Sequence, residues 1–131
     1  MKMSFKKFIP AILWFIITLV LLTLPGSSFP KANWLGNLQI DKLVHIGLFS
    51  VLVYLFFMPF LQSGLTFETK KSRLIWIAVL GLTYGIVMEF VQKYWVPNRS
   101  FDIFDIAADG AGSFLPLFLL KQLNKWKGPK V

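Results

Sequence analysis

"LIWIAVLGLTYGIVMEFVQKYWVPNRSFDIFDIAADGAGSFLPLFLL", Leu74 to Leu120, is two long apolar runs joined by a short polar link. The runs are Leu74–Gln92 and Ile103–Leu120, 19 and 18 residues. Wound as helices they reach roughly the thickness of a bilayer's hydrocarbon core. Inside hydrocarbon, backbone N–H and C=O groups have no water to bond, so both runs are predicted to be membrane-spanning helices. The link is the puzzle. Glu89, Arg99, Asp102, Asp105 and Asp109 crowd the facing ends of the two runs, where ionised groups are expensive.

Two more apolar segments precede these, Phe8–Leu24 and Leu43–Leu61. The expected protein is a single domain over residues 1–131, an all-α integral membrane protein. Its four-transmembrane-helix bundle would span about 8–24, 43–61, 74–92 and 103–120. The first segment has Lys2, Lys6 and Lys7 before it and Pro-Gly-Ser-Ser behind it, as a signal peptide would. Its apolar run exceeds the usual signal core, so it reads as a retained helix. Pro10 sits near the start of that helix, where proline is tolerated. Pro59 and Pro116 lie inside the second and fourth.

Composition agrees. Of 131 residues, 56% are hydrophobic and 15% charged, against about a quarter charged in soluble domains. The net charge of +8 does not indicate nucleic acid, because the basic residues bracket apolar runs and form no stripe with aromatic platforms. There is no cysteine, which excludes disulfide and thiolate chemistry.

Lysine and arginine counts set the expected orientation. Ten lie at the N-terminus, between the second and third segments, and at the C-terminus; the opposite side carries only Lys31, Lys42, Lys93 and Arg99. Both termini are therefore predicted to be cytoplasmic. Trp76 and Trp126 mark the inner boundary, Trp34 and Trp95 the outer. The outer loop Pro25–Asp41 is long enough for a short interfacial helix around Asn33–Leu38.

This topology gathers the polar residues. Asp41, Lys42, His45, Glu89, Gln92, Arg99, Asp102, Asp105 and Asp109 all fall at the outer ends of three helices. They include five of the six acidic residues and the one histidine; Glu68 is the exception. Asp102, Asp105 and Asp109 are spaced i, i+3, i+7 and share a helix face that Gly112 and Pro116 continue. Gly81, Gly85, Glu89 and Gln92 share another, and Asp41 and His45 are i, i+4. Gly81-x-x-x-Gly85 and Ala108-x-x-x-Gly112 would let the third and fourth helices approach closely.

Charges at that depth demand partners. The cations available are Arg99, Lys42, Lys93 and His45. Arg99, in the short loop between two acid-bearing helices, is the expected clamp on Glu89 or Asp105, since its planar fork suits a carboxylate. Carboxylates left over would take up protons. Plainer roles compete: the whole cluster could simply cement the bundle. Asp102 suits the N-cap of the fourth helix, and Asp105 lies in its first turn, where the dipole favours an anion.

The pieces "DKLVHIGLF" (Asp41–Phe49), "YGIVMEFVQ" (Tyr84–Gln92) and "NRSFDIFDIAADGAG" (Asn98–Gly112) resemble the VanZ-like family in order and spacing. That pattern has Asp-Lys and His opening one helix, a Glu with a Gln three residues on, an Arg, and an Asp followed four residues later by Asn. Here Asp109 stands where the family commonly has Asn, and Pro116 replaces a small residue. The resemblance implies a bacterial multi-pass protein of the cytoplasmic membrane, in a family whose namesake is associated with low-level teicoplanin resistance. That drug acts outside the membrane on lipid-linked cell-wall precursors, the side where the charge rule puts the polar cluster.

Three function classes follow. As a binding module, the cluster would hold a polar lipid headgroup or lipid-linked precursor: Arg99, Lys42 and Lys93 suit phosphate, and the carboxylates suit amines or a bridging divalent cation. As a membrane enzyme, Asp41, His45, Glu89, Asp105 and Asp109 would hold a metal, or His45 and Glu89 would do acid–base work. The chain has no His-x-x-x-His, no Glu-x-x-His and no nucleophile paired by sequence with a base, so the reading leans against an enzyme and expects no cofactor or metal. A proton or ion path is disfavoured because the inner helix halves carry no polar relay. The expected partner is a membrane lipid or lipid-linked cell-wall precursor, not nucleic acid, and the oligomeric state is not legible.

Overall fold

The computed structural model describes residues 2–28 and 37–126. Among these, the ordered elements are helical: α1 Ile9–Thr23, α2 Asn37–Leu61, α3 Phe67–Trp95 and α4 Ile103–Trp126. Short 3-10 turns at Phe5–Phe8 and Gly26–Ser28 flank α1. All four helices are long and apolar enough to cross a membrane, over Phe5–Thr23, Ile40–Leu61, Phe67–Trp95 and Ile103–Gln122. Lys31, Trp34, the first four residues of the expected interfacial helix, Lys127 and Lys130 lie outside the described residues; Asn37 and Leu38 instead open α2.

Local chemistry explains the helix ends. Pro10 occupies the first turn of α1, where its missing N–H costs nothing. Leu24 and Val96, each preceding a proline, are extended and stop α1 and α3. Thr66 caps α3, its hydroxyl accepting the Thr69 N–H at 3.3 Å. Asp102 caps α4 by accepting the Phe104 N–H at 2.8 Å. Helices α2 and α3 outrun their apolar runs because polar turns open them, Asn37–Lys42 in α2 and the Thr66-capped Phe67–Arg73 in α3.

The bundle is inside-out relative to a soluble one. Leu13, Ile16, Ile17 and Val20 on α1, Trp76, Leu80 and Val87 on α3, and Phe118 and Leu119 on α4 face outward. His45, Glu89, Gln92, Asp105, Asp109 and Ser113 are buried. That distribution fits a hydrocarbon solvent, where apolar faces need no cover and polar groups do.

Helix α4 packs against α2 and α3, while α1 leans on α2 and α3. Phe49 of α2 and Met88 of α3 form one apolar core with Leu22 of α1; Val53, Phe57, Leu74, Ala78 and Leu120 form a second. The small-residue pairs divide their work. A Cβ on Gly81 would sit 2.8 Å from Ser113 Oγ, and one on Gly85 would sit 2.5 Å from Asp109 Oδ2, so both face α4. Gly112 faces α2 instead: its Cβ would fall 2.9 Å from Ile46 Cα. The expectation that Ala108-x-x-x-Gly112 serves the α3–α4 contact is thus corrected at Gly112. The α4 face bearing the aspartates turns toward α2, and Gly112 travels with it.

Pro116 adds a second link between the same helices. Lacking an N–H, it cannot bond the carbonyl of Gly112 four residues back. Ser50 of α2 donates its hydroxyl to that carbonyl at 3.0 Å. A group that a membrane interior would leave unsatisfied is paired across the interface.

Candidate functional site

The first turns of α2, the last turns of α3 and the first turns of α4 meet at one end of the bundle. Lys42 is the hub. Its ammonium donates to Asp102 Oδ2 at 2.6 Å, to Asp105 Oδ1, and lies 3.6 Å from Asp41 Oδ2. One lysine on α2 thereby engages the cap and the first turn of α4.

His45, one turn deeper on α2, bonds through Nδ1 to Asp109 Oδ1 at 2.7 Å. Its other nitrogen, Nε2, faces Asp105 Oδ2 at 3.7 Å and Asp41 Oδ1 at 3.9 Å. The His45 and Asp109 side chains are 4% and 2% exposed, so neither has water to fall back on.

Glu89 is buried on α3, and its Oε2 accepts the backbone N–H of Asp102 at 2.9 Å. Asp102 therefore does three things at once: it caps α4, receives Lys42 and donates its own N–H to α3. Lying just ahead of the α4 span, Asp102 has its carboxyl held below the ordinary carboxylate value. The Lys42 hydrogen bond is the main cause, helped by the Phe104 N–H.

Gln92 and Lys93 make their contacts away from this centre. Gln92 donates to the Leu22 carbonyl at 2.9 Å and ties α3 to the end of α1. It anchors the first helix, a role its spacing from Glu89 did not disclose. Lys93 lies over the rings of Tyr94 at 5.2 Å and Phe101 at 5.9 Å. Arg99 sits half-buried in the loop between α3 and α4. Sequence reasoning put Arg99 first among the cations and named Lys42 only as another available one; Lys42 pairs with Asp105. Asp41-Lys42-x-x-His45 carried that signal in the sequence. One turn separates Lys42 from His45, so the two reach different depths of the same α4 face.

Sequence reasoning also passed over the polar links of α1. Trp14 Nε1 donates to the Leu48 carbonyl at 3.0 Å, and Thr18 meets the Tyr84 hydroxyl at 3.2 Å. Together with Gln92 they hold a helix whose own surface is mostly outward-facing.

Chemically, the site offers a cation bracketed by carboxylates and an imidazole locked by a buried acid, with Asp41 as its most exposed member, 45% open. A scan against family models, curated proteins and solved structures finds no match to the chain.

Proposed function

We propose that this multi-pass membrane protein binds the polar headgroup of a membrane lipid or lipid-linked cell-wall precursor at the Lys42–His45 cluster. In this reading both termini are cytoplasmic, the cluster opens beneath the outer surface of the bacterial cytoplasmic membrane, and occupancy protects the cell envelope, against teicoplanin among other insults. The observation that carries the reading is convergence. Acids and bases from three helices meet at one end of a bundle whose outer faces are apolar. Intramembrane ionisable groups that converge in this way are a functional site by default. The positive-inside count and the resemblance to the VanZ-like family support the outward orientation and the envelope role.

A second reading has its own observation. Asp109 fixes His45 through Nδ1 and leaves Nε2 toward the cluster mouth. That arrangement would suit general acid–base catalysis on an envelope lipid.

Photo-activatable phospholipid and lipid-linked precursor analogues test the first reading in membranes carrying the full chain. Crosslinks at 41–45 and 99–105 are expected, with loss in Glu89→Gln and Lys42→Met at equal membrane levels. Crosslinks confined to the apolar outer faces would sink it. Turnover of the lipid, abolished by His45→Gln, would select the second reading. For orientation, Ser100→Cys should react with an impermeant maleimide in intact cells and Ser72→Cys only after permeabilisation; the parent contains no cysteine to confuse the result.

A further inference from the structure

Lys42 and His45 divide the oxygens of two carboxylates between them. Asp41 turns Oδ2 to the Lys42 ammonium and Oδ1 to His45 Nε2. Asp105 turns Oδ1 to Lys42 and Oδ2 to the same Nε2. Nε2, Asp41 and Asp105 thus present three donor atoms within 4.8 Å of one another. We propose that these three residues form a binding site for a divalent first-row metal ion, open on the Asp41 side.

Four observations carry this. First, every donor is oriented by a neighbour. Asp109 bonds His45 Nδ1 at 2.7 Å, and Lys42 holds the outer oxygen of Asp105 and approaches that of Asp41. A carboxylate on the far nitrogen of a ligating histidine fixes its tautomer and raises its basicity, the usual support of a metal-bound imidazole. Second, His45 is 4% exposed, yet its Nε2 lies beyond hydrogen-bond distance of both facing oxygens, at 3.7 and 3.9 Å. In the tautomer whose Nδ1–H donates to Asp109, Nε2 would offer its lone pair to a cation held between the two carboxylates. Third, charge balance favours a cation. At the donors themselves two carboxylates, Asp41 and Asp105, face a single ammonium, Lys42. Fourth, the donors differ in freedom. His45 and Asp105 are 4% and 10% exposed, whereas Asp41 is 45% exposed at the entrance.

The geometry needs one adjustment. Ligand bonds of about 2.0–2.2 Å separate neighbouring donors by roughly 3–3.5 Å in a tetrahedral shell. Rotation of the exposed Asp41 carboxylate supplies the closure. One imidazole with two carboxylates and no sulfur suits Zn²⁺ or Mn²⁺ and gives Mg²⁺ little advantage. The protein supplies three ligands, so further positions remain for water or a ligand oxygen on the Asp41 side. The metal site stands apart from the lipid reading, because its readout requires no lipid.

The chain has a single histidine, which makes the experiment direct. Tag-free full-length protein in detergent, labelled with ¹⁵N-histidine, is titrated with Zn²⁺ while calorimetry follows binding. The expected result is saturation near one equivalent. The Nε2 resonance should move to a coordinated position while Nδ1 keeps its proton. Asp41→Asn and Asp105→Asn should each weaken binding at least about 30-fold, and Asp109→Asn, which touches no metal, about 10-fold or more. Glu68→Gln, at the opposite end of α3, should change nothing. Asp41 is the most exposed donor, so its variant keeps the test decisive if Asp105→Asn fails to fold. Imidazole resonances unmoved by excess Zn²⁺ in the folded parent would overturn the proposal. So would Zn²⁺ affinity unchanged by Asp41→Asn.

Discussion

His45 Nδ1 and Asp109 Oδ1 stand 2.7 Å apart across the α2–α4 interface, in a place almost closed to solvent. Each would be a poor residue for that depth alone. Together they satisfy one another, and their backbones can approach because Gly112 presents no side chain toward Ile46. The pair fixes which faces of α2 and α4 meet. Lys42, one turn nearer the surface, repeats the same logic with Asp102 and Asp105.

The His45–Asp109 bond should discriminate sharply between two substitutions. Asp109→Asn keeps an acceptor oxygen for Nδ1–H and should cost little. Asp109→Leu removes the acceptor and strands a buried imidazole donor, a penalty of about 1–3 kcal/mol. Thermal unfolding of both variants in one detergent measures the difference. Equal midpoints would mean that the bond contributes nothing to the fold.

Lys42 gives the acid side of the pH profile a defined sign. Asp102 has its folded-state value depressed below the ordinary 3.8, chiefly by the Lys42 hydrogen bond. A depressed carboxyl contributes stability that is complete above the unfolded value and lost as pH falls through the folded one. The part of the stability that Asp102 contributes should therefore hold on descending to about pH 5 and decline below about pH 4. Lys42→Met should be less stable at neutral pH by about 1–3 kcal/mol, because it leaves Asp105 without its ammonium. Its acid decline should also be flatter. Unfolding midpoints from pH 7 to pH 3 in both proteins decide the matter, and parallel curves would refute the Lys42 assignment.

Ser50 and Pro116 should be energetically coupled although they do not bond to each other. Ser50→Ala leaves the Gly112 carbonyl, already denied its helical partner, without a donor. The expected loss is about 1 kcal/mol or somewhat more. Pro116→Ala restores an N–H at the right position in the helix, so Ser50→Ala in that background should cost less. A double-mutant cycle reads the coupling, expected at about 0.5 kcal/mol or above.

The four spans were legible because hydrocarbon leaves the backbone no partner but itself, and apolar runs at Phe8–Leu24, Leu43–Leu61, Leu74–Gln92 and Ile103–Leu120 have the required length. The faces were legible too: Glu89, Asp105 and Asp109 all turn inward, as their spacing implied. Pairing was not. Helical periodicity gives direction around an axis without the rotation between neighbouring helices, so it did not show that Lys42 would join Asp102 and Asp105. The same limit explains Gln92. It shares a face with Glu89, yet a turn of travel along α3 carries it to α1. Ser50 was hidden because the demand for it arises on another helix, at the carbonyl Pro116 sets free.

The closest helix crossing should separate two glycines of α2 and α4. At Gly112 an added Cβ would lie 2.9 Å from Ile46 Cα and nearer still to its carbonyl oxygen, backbone that no rotamer change can move. Gly112→Ala must push α2 and α4 apart, straining the Ser50 bond and the His45–Asp109 pair at once. A loss of about 1–3 kcal/mol is expected. At Gly47, also helical, an added Cβ meets nothing within 4 Å. Gly47→Ala should be neutral or stabilising, by up to about 1 kcal/mol, through helix propensity alone. Both variants place one methyl group on a membrane helix, so a general aversion to bulk would shift them alike. Unfolding midpoints that drop for Gly112→Ala and hold or rise for Gly47→Ala would locate the tightest α2–α4 contact at Ile46 and Gly112. Equal midpoints would place the crossing elsewhere along the two helices.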